Sequence, residues 1–169
     1  METNFFGLLW ITQAAIPIMR AQGSGHIIQL SSLLGVTTFP VLGLYNASKF
    51  AVEGLSETLA TEVKEFGIRV SLVEPNAFST DFSSASAIQT KPLKEYETLK
   101  KNFNESFTDD SWGVPEATTG AILQLVDEGN PPLRLFLGKV ALPYAKQVYA
   151  DKLATWEKWA DVANAAHGK

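Results

Sequence analysis

The stretch from His26 to Glu74 constrains the fold more than any other part of the chain. It opens with a short, strongly apolar run, His26 to Leu30. Past a loop come residues 45–66, where Val52, Leu55, Leu59, Val63 and Phe66 recur at helical spacing. Gly67 stands where a helix ends. A second apolar run, Ile68 to Glu74, follows, with Val70, Leu72 and Val73 expected to be buried. Strand, long helix and strand make a right-handed parallel unit, and strands this apolar fit a sheet covered on both faces.

The flanks extend the alternation. Residues 4–21 read as a helix that Thr3 or Asn4 can cap, with Phe5, Leu8, Leu9, Thr12 and Ile16 at helical spacing. Pro17 is expected to kink or shorten it. Residues 81–112 show no clear period, although Leu93 to Phe103 can be helical. Pro115 opens a helix with Ile122, Leu123 and Val126 as its apolar stripe and Gly129 after its end. Pro131 and Pro132 separate that helix from a strand starting at Leu133. Residues 143–166 form a final helix whose stripe of Tyr149, Leu153, Trp156, Ala160 and Ala163 is expected to pack on the body or on a partner subunit. Strands are therefore expected at about 26–31, 68–74 and 133–138, in one α/β domain over residues 1–169.

Composition narrows the function classes. The net charge of −4 offers no basic surface to nucleic acid or anionic lipid. Without cysteine there are neither disulfides nor thiolate metal sites, no metal is expected, and a reducing, cytoplasmic setting fits. The apolar segment Phe5 to Met19 is short of the ~20 residues that span a bilayer and carries Thr12 and Gln13 in its middle, so it reads as a buried helix and no membrane role is expected. Gly23-Ser24-Gly25 precedes a strand and lacks a third glycine, which excludes a dinucleotide fingerprint there. His26 reads as a strand-edge residue, and with His167 in the tail a Ser-His mechanism has little to work with.

Tyr45 and Lys49 open the long helix four residues apart, which puts a phenol and an ammonium on one face. A tyrosine pKa near ~10 is too high for easy proton exchange at neutral pH, and a cation within ~4–6 Å lowers it. A shift of about three units takes roughly 4 kcal/mol of differential stabilisation. Taken alone, such a pair is also what ordinary solvated helix faces carry, just as Ser31-Ser32 can be a plain turn and Asn4 a plain cap.

Four features in order change the weighting. These are Asn4 in Thr3-Asn4-Phe5-Phe6-Gly7, the strand ending in Ser31-Ser32-Leu33-Leu34-Gly35, Tyr45-Asn46-Ala47-Ser48-Lys49 beginning thirteen residues after Ser32, and Glu74-Pro75-Asn76-Ala77-Phe78-Ser79-Thr80. Together they resemble the short-chain dehydrogenases/reductases, over nearly the whole chain but only the later half to two-thirds of that family's fold. The resemblance implies a partial Rossmann-like, doubly wound parallel sheet and an NAD- or NADP-dependent oxidoreductase that moves a hydride to or from a carbonyl or alcohol substrate. It implies Asn4, Ser32, Tyr45 and Lys49 as catalytic residues, Asn4 helping to hold a water that links the lysine to solvent. It also implies Tyr45, Lys49, Pro75, Asn76 and Thr80 along the cofactor, Ser32, Leu34 and Tyr45 along the substrate, and a substrate-covering segment at 81–112.

Asn76 stands where the family has glycine, in a turn that asparagine can keep because it tolerates positive φ. Phe39, Leu44, Phe78 and Phe82 are expected to line an apolar pocket. In the family, helices matching 4–21 and 45–66 form a dimer interface, so a homo-oligomer is expected. The family's glycine loop, Thr-Gly-x-x-x-Gly-x-Gly, is not among these residues. The chain is accordingly expected to be a fragment that leaves the strand at 26–30 open and binds nicotinamide cofactors poorly alone. The alternative reading is a non-catalytic dimerisation or partner-binding fragment.

Overall fold

A computed structural model describes residues 1–83 and 93–168. Three parallel strands, β1 (Gly25–Leu30), β2 (Ile68–Pro75) and β3 (Arg134–Leu137), form one sheet in the order β1-β2-β3. In register, Ile27 lies opposite Val70 and Leu30 opposite Val73, and on the other side of β2 Leu72 meets Arg134. Among the described residues β1 pairs only with β2, so its other edge carries no strand.

Helices cover both faces, as the apolar strands require. Ile27, Ile68 and Val70 pack with Leu59 and Val63 from helix α2 (Gly43–Glu62) and its end, and with Ile16 and Met19 from α1 (Leu8–Gln22). Ile28, Val73, Leu135 and Leu137 point the other way, onto Ala121, Ile122 and Leu125 of α4 (Thr119–Asp127). The α/β class and the doubly wound, Rossmann-like sheet are thus present, and the three strands lie within a residue or two of their expected bounds. A short helix, α3 (Glu97–Glu105), overlaps the stretch Leu93 to Phe103 that can be helical; of the segment 81–112, residues 84–92 fall outside the described part.

Several local expectations are corrected. Asn4 does not cap: it lies within an opening wide turn, Glu2–Gly7, that runs straight into α1. Pro17 does not end α1, which continues to Gln22 and stops at Gly23 in the left-handed conformation, φ 67°. The long helix begins at Gly43 rather than Tyr45 and gives way at Lys64–Phe66 to a tighter turn that Gly67 closes at φ 70°. On α4 the buried side is Leu125 with Ala121 and Ile122, while Leu123 and Val126 are exposed. The last helix divides at Trp159 into α5 (Ala141–Lys158) and α6 (Ala160–Ala165), and buries Ala141 and Ala145. Tyr149, Leu153 and Trp156, expected to be covered, are exposed on this chain.

Candidate active site

The loop after β1 and the first turns of α2 bring the predicted residues together at the carboxyl end of the sheet, where open α/β sheets bind ligands. Ser32 caps the short helical turn Leu33–Gly35, its hydroxyl accepting from the Leu34 backbone N–H at 3.1 Å, and both Ser32 and Leu34 are buried. The same hydroxyl lies near enough to the Tyr45 phenol to favour its ionisation. Lys49, one turn beyond Tyr45, is buried; its ammonium donates to the Leu30 carbonyl at 2.9 Å and lies 5.8 Å from the centre of the Tyr45 ring. The Phe82 ring covers Tyr45 at 5.2 Å between centroids.

Asn4 reaches this group indirectly. Its amide donates to the Ser48 hydroxyl at 3.3 Å, and Ser48 donates to the Tyr45 carbonyl at 2.7 Å. Asn4 therefore ties the opening turn of the chain to the turn of α2 that carries the phenol.

Burial raises the Tyr45 pKa above its ordinary value, and the Ser32 hydrogen bond acts in the opposite direction. The expected lowering of the phenol toward neutrality is outweighed here by burial. Burial lowers the Lys49 pKa, and the charge of Glu53 raises it.

The nicotinamide-side segment is arranged differently from its expectation. The turn at Asn76 does not use positive φ; among the described non-glycine residues only Val41 has one, at 58°. The Asn76 amide N–H groups go to the carbonyls of Ala77 at 2.8 Å and Ser111 at 3.2 Å. Its Oδ1 fills the space beside Gly138, where a Cβ would sit 1.6 Å from that oxygen; Gly138 has φ 92°. Pro75 ends β2, with the Asn76 N–H bonded to the Leu137 carbonyl at 2.9 Å. Thr80 is exposed, and its hydroxyl accepts from the Phe82 N–H at 3.4 Å.

Nor do the four expected pocket aromatics and aliphatics form one pocket. Phe39 stacks with Phe103, Phe107 and Tyr144, and Leu44 is exposed. Phe78 lines a separate cleft of about 470 Å³ with Trp112, Val114, Phe136 and Lys139, which Ser32, Tyr45 and Lys49 do not line. The cleft's polar groups include Lys139 and Asp110, which already pair at 2.6 Å.

The donor set suits the ribose and nicotinamide end of a dinucleotide: a buried ammonium for hydroxyls, and a phenol and a serine hydroxyl for a reacting oxygen. Sequence reasoning missed Ser48, the Leu30 carbonyl and Glu53. Only Glu53 left a signal, a carboxylate one further turn along the Tyr45–Lys49 face.

Comparison with known proteins bears on the family and the fold. The family described as short chain dehydrogenase matches residues 1–91. Oxidoreductase BOA17 of Botryotinia fuckeliana is 35% identical over 169 residues, which takes in 98% of this chain and 62% of that protein. A short-chain dehydrogenase from Streptomyces avermitilis superposes with a TM-score of 0.82 at 32% identity, over 96% of this chain and 59% of its own. A gluconate 5-dehydrogenase from Burkholderia cenocepacia, solved with NADP and tartrate, gives a TM-score of 0.58 at 25% identity, over 80% of this chain and 51% of its own. The chain thus spans less than two thirds of the length of each of these proteins.

Proposed function

The chain belongs to the short-chain dehydrogenase family, and we propose on that footing that it is the catalytic part of an NAD- or NADP-dependent oxidoreductase acting on a carbonyl or alcohol. The observation that carries this reading is the meeting of the buried Ser32 hydroxyl, the half-buried Tyr45 and the buried Lys49 ammonium beyond β1. Tyr45, kept protonated at neutral pH by burial, gives its proton to a carbonyl oxygen during reduction and takes one back in the reverse direction. Ser32 donates a hydrogen bond to the same oxygen and orients it, with Leu34 behind it. Lys49 stabilises the phenolate left on Tyr45 and holds the ribose hydroxyls. Asn4 steadies Tyr45 through Ser48. NAD or NADP, when bound, supplies the hydride; Pro75, Asn76 and Thr80 border its nicotinamide. Residues 81–112 cover the substrate, a role favoured by the contact of Phe103 and Phe107 with Phe39 and of Phe82 with Tyr45. The chain acts as one domain, in the cytoplasm; no described helix is long and apolar enough to cross a membrane.

Turnover of a panel of aldehydes and ketones with NADH and NADPH tests the reading. In a protein that includes this chain and is shown to turn over such a substrate, Tyr45→Phe is expected to lower kcat by about 10²–10⁴-fold while cofactor binding persists. Activity within tenfold of the parent contradicts the assignment.

A second reading, a dimerisation module that pairs through α1 and α2, is favoured by the exposure of Trp10, Ile11 and Ile18 on α1. It predicts association in sedimentation without any cofactor-dependent absorbance change. A monomer at all concentrations contradicts it.

A further inference from the structure

Beyond Lys49 the same face of α2 continues into a buried cluster of charges that the proposed chemistry does not use. Glu53 follows Lys49 by one turn and Glu57 by two, so Tyr45, Lys49, Glu53 and Glu57 form a ladder of ionisable groups, neighbouring rungs about 6 Å apart along the axis. The side chain of Glu53 is only 6% exposed. Arg134, which opens β3, reaches across the sheet: its Nε donates to Glu53 Oε2 at 3.0 Å and its terminal nitrogen to Glu57 Oε2 at 2.8 Å. The same Nε lies 3.3 Å from Glu74 Oε1 on β2, a carboxyl with no exposed surface.

The second Glu53 oxygen, Oε1, is buried with no hydrogen-bond partner among the described residues, as is the hydroxyl of Ser31 next to Ser32. Both lie against Gly35: a Cβ there would come within 2.6 Å of Ser31 Oγ, 2.7 Å of Glu53 Cγ and 3.0 Å of Glu53 Oε1. The backbone therefore leaves room for a carboxylate beside the active-site loop, and a charge placed so deep needs a reason, because an unpaired buried oxygen is costly.

We propose that Glu53 is a positioning residue for the Tyr45–Lys49 pair: fixed by Arg134 and seated over Gly35, its carboxylate holds the buried Lys49 side chain in the charged form. The proposal rests on the reading of Tyr45 and Lys49 given above. Without a nearby anion, burial would favour the neutral amine of Lys49, which can neither stabilise a phenolate nor attract ribose hydroxyls as strongly. The groups facing Lys49 are Tyr45 and Glu53 on α2 and the Leu30 carbonyl. Those facing Glu53 are Lys49 and Glu57 on α2, Glu74 on β2, Arg134 on β3 and the Ser31 hydroxyl. The neighbouring carboxyl, Glu74, is pushed up to about 8 by burial and by the charge of Glu53, while the charge of Arg134 acts in the opposite direction.

Side-chain ¹⁵N NMR of the lysines distinguishes ammonium from amine and needs neither cofactor nor turnover, so its failure and the failure of the Tyr45→Phe test are separate results. Lys49→Arg assigns the signal. The parent chain is expected to show Lys49 as ammonium at neutral pH. Glu53→Gln, or Glu53→Met where Gln fails to fold, is expected to lower the Lys49 titration midpoint by about one unit, a tenfold change in its protonation equilibrium, whereas Glu57→Gln leaves it in place. A merely structural Glu53 would change the melting temperature and not the midpoint. An amine at neutral pH in the parent chain, or an unmoved midpoint in a folded Glu53 variant, overturns the proposal.

Discussion

Helices α2 and α5 each carry a row of side chains at roughly four-residue spacing, and the structure treats the two rows in opposite ways. On α2 the row is polar, Tyr45, Lys49, Glu53 and Glu57; Lys49 and Glu53 are buried and Tyr45 half-buried. On α5 the row is apolar, Tyr149, Leu153 and Trp156, and on this chain it is exposed, Trp156 at 60%. Periodicity identifies which residues share a face; it does not say whether that face is covered. What covers α2 is β2 and the loop after β1, brought there by the parallel crossover, and the buried ionisable groups answer one another: Lys49 with the Leu30 carbonyl, Glu53 with Arg134. What α5 offers the sheet is a pair of small residues, Ala141 and Ala145, against Leu33 and Phe136.

The largest effect that can break this contrast is at Arg134. Arg134→Met leaves Glu53 and Glu74 buried without their cation and is expected to lower stability by about 3 kcal/mol in urea unfolding. A loss under about 1 kcal/mol would mean that the carboxyls are hydrated and the polar face of α2 is not dry.

Next is a pH dependence with a definite sign. The Glu74 pKa is raised in the folded chain from the ordinary value near 4.5 to about 8. Stability that depends on its protonated form is therefore fully present below about pH 4.5 and is lost as pH rises toward 8. Denaturant midpoints across that range should fall with rising pH, and Glu74→Gln should remove that component. A Glu74→Gln profile parallel to that of the parent contradicts the assignment.

Ser48→Ala removes the link from Asn4 to the Tyr45 turn and is expected to cost about 1 kcal/mol in the same assay, with Asn4→Ala costing no more when Ser48 is already gone. The smallest effect belongs to α5. Trp156→Ala should change stability by less than about 0.5 kcal/mol, as exposed positions do. A loss of several times that would show that a partner or another segment covers the stripe in solution.

Much of the fold was legible because its signals are local and redundant: apolar runs of strand length, a long helical period, and Gly67 at a helix end. Tyr45, Lys49 and Ser32 were legible as a set because their spacing is fixed by one loop and one helix turn. Asn4 was offered as a possible cap and, by resemblance, as a site residue; its amide in fact reaches Ser48 across 44 positions of sequence, which no local signal shows. Pro17 was expected to kink or shorten the first helix, yet α1 continues through it to Gln22. Glu53 was passed over because a glutamate on a helix reads as solvated; its burial depends on Arg134, eighty-one positions away, and on the absence of a side chain at Gly35. The α5 stripe was expected to pack on the body or on a partner subunit, and it does not pack on the body, because amphipathic spacing carries no information about which surface covers it.

The central claim is that Ser32 and Tyr45 act on one substrate oxygen as a unit. A double-mutant cycle of Ser32→Ala and Tyr45→Phe on kcat, in the protein shown to turn over a carbonyl substrate, tests it most directly. If the two share one oxygen, the double variant should be little slower than the slower single variant, because residues that act together are strongly non-additive. If the two losses multiply, Ser32 and Tyr45 work independently and the site proposed here is wrong.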